Sequence, residues 1–237
     1  MLFIIYFSYI CVNIKKEKFM KEYKILFTSG ETMPMGTFYC IGRNYAKHAV
    51  EMGAELPKEP MIFIKSAQSL VNNNSEILLP DYSENIHHEV EIVLAIKKDC
   101  FNIEPEDAKD FIAGIGIGLD LTLRDLQSEL KKNGKPWTIA KSFYQSAPVS
   151  NFINYNDINQ DNFRIKLEIN GEIRQSGDSS DMIFGFDYLI SFLSKKFFLR
   201  AGDCIFTGTP EGVSQIKKGD EAIASLDNLT QLRVNFL

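Results

Sequence analysis

Apolar positions along this chain come mostly in short runs that end at Gly, Pro, Asn or Asp, and only a few stretches space them at helical intervals. Runs at 38–41, 61–64, 76–79 and 204–207 predict strands. Residues 163–173 read as two strands joined at Asn170-Gly171, a strong hairpin signal, and 221–226 with 229–236 as two more joined at Asp227-Asn228. Residues 112–119 form an apolar strand with glycine at every second position from Gly114. One face of that strand is bare, so a neighbouring backbone or a ligand can approach closely. Helical spacing appears at 46–53, after the acidic turn at 104–107, at 123–132 behind Thr122 as N-cap, and at 186–196 with Ile190 and Leu193 on the buried stripe. Residues 23–37 are short strand-like pieces. Strands outnumber helices, hairpins recur and no strand–helix–strand rhythm is sustained. The prediction is a mostly β fold with some α, of the α+β class and mainly antiparallel.

One predicted strand departs from this apolar pattern. In His87-His88-Glu89-Val90-Glu91-Ile92-Val93-Leu94-Ala95-Ile96 the second half is apolar enough for burial, yet Glu89 and Glu91 lie two apart and therefore on one face. Two buried like charges side by side are costly, or force one to take up a proton, unless something positive sits between them. A divalent cation is the simplest such thing; a wet strand face with both carboxylates solvated is the ordinary alternative, and the commoner one for an isolated Glu-x-Glu. His48 and Glu51, three apart on the 46–53 segment, share a helix face, so the carboxylate can orient the imidazole. The 112–119 strand ends in Asp120, Arg124 and Gln127 lie one turn apart on the helix that follows, and a loop at 134–137 leads to Lys141. The glycine repeat lies within a strand and no phosphate-loop motif is present, which excludes a nucleotide loop.

Composition narrows the ligand. The 237 residues suit one sizeable domain with a small appendage. With 26 basic against 31 acidic residues and a net charge of −5, nothing points to nucleic acid or to an anionic membrane surface, so a small molecule is expected. Cys11, Cys40, Cys100 and Cys204 lie far apart and form no C-x-x-C motif, as expected of reduced thiols in a cytoplasmic protein. Residues 1–12 are almost unbroken apolar, with Lys15, Lys16 and Lys18 behind them. That run is too short to span a bilayer and lacks the basic start and cleavage site of a signal peptide. We read 1–19 as a leader from an over-extended translation start, a weak membrane anchor being the lesser reading. Residues 20–37 are then a short N-terminal cap and 38–237 the main domain.

The order of five blocks goes further. Arg43-Asn44-Tyr45 followed by His48 and Glu51, then HHEVEIVLAI, GLDLTLRDLQ, GKPWTIAKSF and FTGTPEGV, closely resembles the fumarylacetoacetate hydrolase family, nearest its single-domain acylpyruvases and oxaloacetate decarboxylases. The likeness runs from about Phe38 to the C-terminus. It implies the family's mixed β-sandwich roll with a few short helices, usually a homodimer, and one Mg²⁺ or Mn²⁺ ion per chain on Glu89, Glu91 and Asp120. Three carboxylates are hard oxygen donors and suit such an ion. By the same likeness His48 and Glu51 form a water-activating dyad, and Lys141 supplies positive charge to the substrate carboxylate or the enolate. Arg43, Tyr45, Lys65, Arg124, Gln127 and Thr209 would bind substrate. Lys65 departs from the family's usual Lys-Pro in being followed by Ser66. His87 stays outside the ligand set, because three carboxylates already form a coherent hard site.

The activity implied is cleavage of the C–C bond of acylpyruvates, which are 2,4-dioxo acids, through a metal-bound pyruvate enolate, with decarboxylation of oxaloacetate on the same residues. An alternative is an isomerase that moves a proton between keto and enol forms of oxaloacetate or of a hydroxymuconate-type acid. The His48–Glu51 pair tilts the reading towards hydrolysis, where water has to be activated. A rival of another class is a non-catalytic, metal-stabilised binding module, which would unfold on metal removal and turn over no oxo acid.

Overall fold

The computed structural model describes residues 22–51, 53 and 55–237. The expected leader at 1–19, the expected start at Met20, and Cys11 lie outside the described residues. In chain order the strands are β1 (Lys24–Leu26), β2 (Thr32–Pro34), β3 (Phe38–Gly42), β4 (Met61–Lys65), β5 (Leu70–Asn72), β6 (Ser75–Ile77), β7 (Ile86–His87), β8 (Val90–Ile96) and β9 (Ile112–Leu119). There follow β10 (Thr122–Leu123), β11 (Ala147–Val149), β12 (Ile153–Asn154), β13 (Arg164–Ile169), β14 (Glu172–Asp178), β15 (Cys204–Phe206), β16 (Glu221–Leu226) and β17 (Thr230–Phe236). The α-helices are α1 (Ala46–Glu51), α2 (Arg124–Lys132), α3 (Thr138–Lys141) and α4 (Phe186–Ser194).

An eight-stranded sheet runs β4-β3-β15-β8-β9-β11-β5, with β12 also on β9, and a five-stranded sheet runs β14-β13-β16-β17-β6. Most ladders are antiparallel; β15 with β3, β11 with β5 and β17 with β6 are parallel. Ile92 and Leu94 of β8 and Ile115 and Ile117 of β9 share one apolar cluster with Ile165 and Leu167 of β13 and Leu232 and Val234 of β17, so the two sheets are packed together. Each such fully buried side chain contributes about 1.5–3 kcal/mol. Helix α4 lays Ile190 and Leu193 into the same cluster, as its spacing predicts. The mostly β, α+β expectation with a few short helices holds.

Strand β8 has no wet face. Its alternate residues Val93 and Ala95 enter a second apolar cluster with Phe38, Cys40, Phe152 and Phe206. Cover on both sides explains its near-continuous apolar sequence. Gly114, Gly116 and Gly118 of β9 stand opposite Ala95, Val93 and Glu91. A Cβ on Gly118 would come within 2.8 Å of the Phe206 ring and 2.9 Å of the Pro148 carbonyl oxygen. The bare face of β9 is thus filled by the protein's own rings and backbone.

Two local expectations are corrected and one element is added. Residues Pro105–Phe111 form a 3₁₀ rather than an α-helix. The loop at 134–137 is as expected, and the short helix α3 that follows it and ends at Lys141 is an addition. Thr122 does not cap α2: it pairs with His87, its backbone is still extended, and Leu123 takes the cap position without a side-chain bond. Among the described residues no helix is long and apolar enough to cross a membrane.

Candidate metal and substrate centre

Strand register brings three carboxylates together. Val90 pairs with Leu119, the Asp120 N–H donates to the Glu89 carbonyl at 2.8 Å, and Thr122 pairs with His87. The β8–β9 alignment therefore continues past both strand ends and sets Asp120 opposite Glu89. Glu91 lies two residues beyond Glu89 and pairs with Gly118. Oxygens of the three carboxylates lie within 4.8 Å of one another, all three residues are buried, and this is the only such cluster among the described residues.

Cations partner two of the three. Lys141, at the end of α3, donates from Nζ to Glu89 Oε2 at 2.7 Å, Asp120 Oδ2 at 2.6 Å and Thr122 Oγ1 at 2.7 Å, which uses all its ammonium hydrogens. Arg124, at the start of α2, donates from Nη2 to Glu89 Oε1 and from Nη1 to Gln127 Oε1 at 2.7 Å. Lys65 Nζ lies 2.7 Å from Asp120 Oδ1. Glu91 makes no ion pair among the described residues, and one of its oxygens accepts from the Gly208 N–H at 2.6 Å. Burial pushes the Glu91 carboxyl well above the usual range, and Asp120 and Glu89 add to the rise. Burial acts on Glu89 in the same direction, but Lys141 and Arg124 outweigh it and hold that carboxyl low. Burial also opposes charge on Lys141, yet Asp120 and Glu89 hold its ammonium above its ordinary value. Positive charge is therefore lacking at Glu91. Three hard oxygen donors converging there fit Mg²⁺ or Mn²⁺ and leave coordination positions for water or substrate.

A cavity opens over this cluster. Arg43, His48, Gln127 and Thr209 are on its walls, and Met61, Phe63 and Trp137 give it an apolar side. A roomier groove runs past Arg164, Lys166, Ser225 and Asp227, but it gathers no converging carboxylates. Helix α1 places His48 with Nδ1 3.0 Å from Glu51 Oε2, while Glu51 Oε1 accepts from the Gly212 N–H at 3.0 Å. Both Glu51 oxygens are engaged, and Nε2 is left as the imidazole nitrogen able to take a proton. Arg43 sits in the turn after β3 with φ of 61°.

Two residues expected at the substrate are not on the cavity wall. Lys65 is wholly buried, and its Nζ donates to the carbonyls of Leu121 at 3.0 Å, Ser146 at 2.8 Å and Lys141. It is an internal cation behind Asp120, and the expectation of substrate contact is corrected on that ground. Tyr45 is also buried, with its hydroxyl unpartnered, and burial together with Glu91 raises its pKa. Sequence reasoning in turn missed Thr122, Gly208 and Gln175. Thr122 reads as a helix cap, and the only signal for Gly208 is its place in a Gly-Thr-Pro turn. Its φ of 105° and the Asn44 Cβ, 2.5 Å from where a Gly208 Cβ would stand, require glycine there and bring its N–H onto Glu91.

The chain is similar to several known proteins. The family model described as fumarylacetoacetate (FAA) hydrolase C-terminal matches residues 37–236. The oxaloacetate tautomerase FAHD1, mitochondrial, of Bos taurus is 43% identical over 195 residues, covering 82% of this chain and 88% of that protein. The oxaloacetate tautomerase YcgM of Escherichia coli (strain K12) is 42% identical over 196 residues, covering 82% and 90%. Among solved structures, the fumarylpyruvate hydrolase of Pseudomonas aeruginosa in complex with Mn²⁺ and pyruvate matches with a TM-score of 0.88 at 36% identity, covering 93% of this chain and 98% of that one.

Proposed function

The chain belongs to the fumarylacetoacetate hydrolase family, and from that premise we propose that it is a divalent-metal-dependent enzyme that interconverts the keto and enol forms of oxaloacetate. This places tautomerisation ahead of the acylpyruvate cleavage that the sequence favours. The relatives at 43% and 42% identity, both named oxaloacetate tautomerases, support that order. The relatives are enzymes, which leaves the binding-module reading without support. The observation that carries the proposal is His48, held by Glu51, on the wall of the cavity that also contains the three carboxylates.

Bound on Glu89, Glu91 and Asp120, Mg²⁺ or Mn²⁺ would supply a Lewis acid for the 2-oxo and carboxylate oxygens of the substrate. His48 Nε2 removes a proton from C3, and the electron pair of the broken C–H bond moves to the 2-oxo oxygen, giving an enolate. Return of the proton to that oxygen gives the enol; return to C3 gives the keto form. Glu51 offsets the charge of the imidazolium that forms between these steps. Arg43 and Thr209 bind carboxylate oxygens, and Gln127, fixed by Arg124, completes the polar wall. Lys141 and Arg124 hold the Glu89 carboxyl low, and Lys141 and Lys65 pair with Asp120. Met61, Phe63 and Trp137 limit water in the cavity, which strengthens each of these charge interactions.

The test follows enol absorbance on addition of oxaloacetate with Mn²⁺ present, in wild type and His48→Ala. Loss of a general base lowers kcat by about 10²–10⁴-fold with KM little changed. A wild-type rate no faster than buffer refutes the proposal. A second reading is supported by the same dyad and by the fumarylpyruvate hydrolase neighbour. There His48 takes a proton from water, the oxygen attacks the acyl carbonyl, and the bond from C3 to that carbon breaks with its electron pair passing to the 2-oxo oxygen. The products are pyruvate and a carboxylic acid, so pyruvate release from acetylpyruvate, measured beside the first assay, distinguishes the two. Oxaloacetate decarboxylation, which would release pyruvate from oxaloacetate, is read in the same assay. We further propose a homodimer, testable by light scattering, in a reducing cytoplasmic setting, with which the free, buried Cys40, Cys100 and Cys204 are in keeping.

A further inference from the structure

A polar chain runs from the second sheet into the cavity, and the hydrogens along it can be placed. Gln175, on β14, is 1% exposed. Its Oε1 accepts from the Val90 backbone N–H at 3.0 Å, and its Nε2 donates to the Pro210 carbonyl at 2.9 Å. A backbone N–H only donates and a carbonyl only accepts, so turning the amide over would set donor on donor and acceptor on acceptor. The main chain therefore fixes the orientation of this side chain.

Two consequences follow from that orientation. His88 Nδ1 lies 2.8 Å from Gln175 Oε1 and must donate to it, so in the neutral ring Nε2 accepts from the Ser214 hydroxyl at 2.8 Å. At the other end Gln175 Nε2 gives its second hydrogen to Thr209 Oγ1 at 2.8 Å. Thr209 is thus an acceptor towards Gln175, and its own hydroxyl hydrogen has no acceptor among the described residues, although Thr209 is itself buried and on the cavity wall.

We infer that Gln175 is a positioning residue, which makes the Thr209 hydroxyl a donor into the cavity, matched to a carboxylate oxygen of the substrate. The inference rests on the reading of Thr209 as a substrate contact and adds what sets its polarity. An acceptor-only side chain at position 175 reverses the arrangement: Thr209 would donate to it and turn a lone pair towards the incoming anion.

The experiment reads binding rather than turnover, with oxalate titrated calorimetrically into the full chain holding Mn²⁺. Thr209→Val is expected to weaken oxalate about tenfold, the worth of one hydrogen bond to a charged acceptor. Thr209→Ser, which keeps the hydroxyl, stays within about twofold of wild type. Gln175→Glu weakens oxalate at least as much as Thr209→Val does, and the double variant loses less than the sum of the two single losses, because both remove the same donor. Wild-type affinity in Thr209→Val, or additive losses in the double variant, overturns the inference. A second measurement needs no variant: ¹⁵N spectra of the chain's three histidines are expected to show His88 as the Nδ1–H tautomer, and the Nε2–H tautomer overturns the stated direction. The proposed reaction fails separately. Oxalate affinities that shift as stated in a protein inert towards oxaloacetate would remove the reaction and keep the role of Gln175, and turnover with unshifted affinities would do the reverse.

Discussion

At the scale of single residues the informative side chain is Glu91, because it is the member of its trio without a cation. Glu89 has Lys141 and Arg124, and Asp120 has Lys141 and Lys65. An unpaired buried carboxylate destabilises a protein that holds no metal. Glu91→Gln is therefore expected to raise the unfolding temperature in the presence of chelator, while weakening Mn²⁺ by more than about 100-fold, beyond the loss typical of residues that only support a ligand. A variant that melts below wild type in chelator contradicts this account. Lys65 behaves in the opposite way. Removing its ammonium leaves three carbonyls and Asp120 Oδ1 around an uncharged hole, so Lys65→Met is expected to cost about 3–5 kcal/mol in urea unfolding. A loss under about 1 kcal/mol, the worth of an exposed ion pair, shows that the pair is not a buried one.

At the scale of elements, β9 and α2 each carry a test. The glycine face of β9 is packed by rings, so Gly118→Ala forces Phe206 and the Pro148 carbonyl aside and is expected to destabilise by about 1–3 kcal/mol. Equal stability of the two proteins argues that the face yields freely. Helix α2 is tied to the 83–84 loop by Asp125, whose carboxylate accepts from the Ser83 hydroxyl at 2.7 Å and the Glu84 N–H at 3.1 Å. Burial raises the Asp125 pKa, but these hydrogen bonds and the Leu126 N–H outweigh it and hold it below its ordinary value. A group with a lowered folded-state pKa stabilises above its unfolded pKa and loses that contribution as pH falls through the folded one. Asp125→Asn is accordingly expected to melt below wild type from neutral pH down to about pH 4, the two curves converging in stronger acid. A gap that persists below that range is not electrostatic in origin.

At the scale of the whole molecule, the proposed metal site draws its oxygens from the region before and within β8 and after β9, and its cations from β4, α2 and α3. A ligand that joins elements from several parts of one fold stabilises the whole fold by mass action. Free Mn²⁺ at one hundred times its Kd is expected to add about 2.7 kcal/mol to unfolding, reversibly removed by chelator. An unfolding curve indifferent to both Mn²⁺ and Mg²⁺ counts against the site.

Much was legible before any coordinates. Periodicity decides β8, β9, the Asn170-Gly171 hairpin and α4, because apolar spacing and turn residues act locally. The Glu-x-Glu spacing poses the problem of two like charges on one face and leaves a hard cation and a solvated face both open, a choice that the resemblance of the five blocks then tilts towards the cation. Tertiary structure decided the rest, because those facts depend on contacts between residues far apart in the chain. Register, not spacing, sets Asp120 opposite Glu89; cover on both faces of β8 buries Glu91 with no cation beside it among the described residues; and burial turns Lys65 from an expected substrate contact into an internal counter-charge. Thr122 reads as a cap until the β8–β9 ladder is seen to run on through it, and Gln175 carries no sequence signal at all. Its role comes from main-chain groups of Val90 and Pro210 that only the packing of one sheet on the other brings to it.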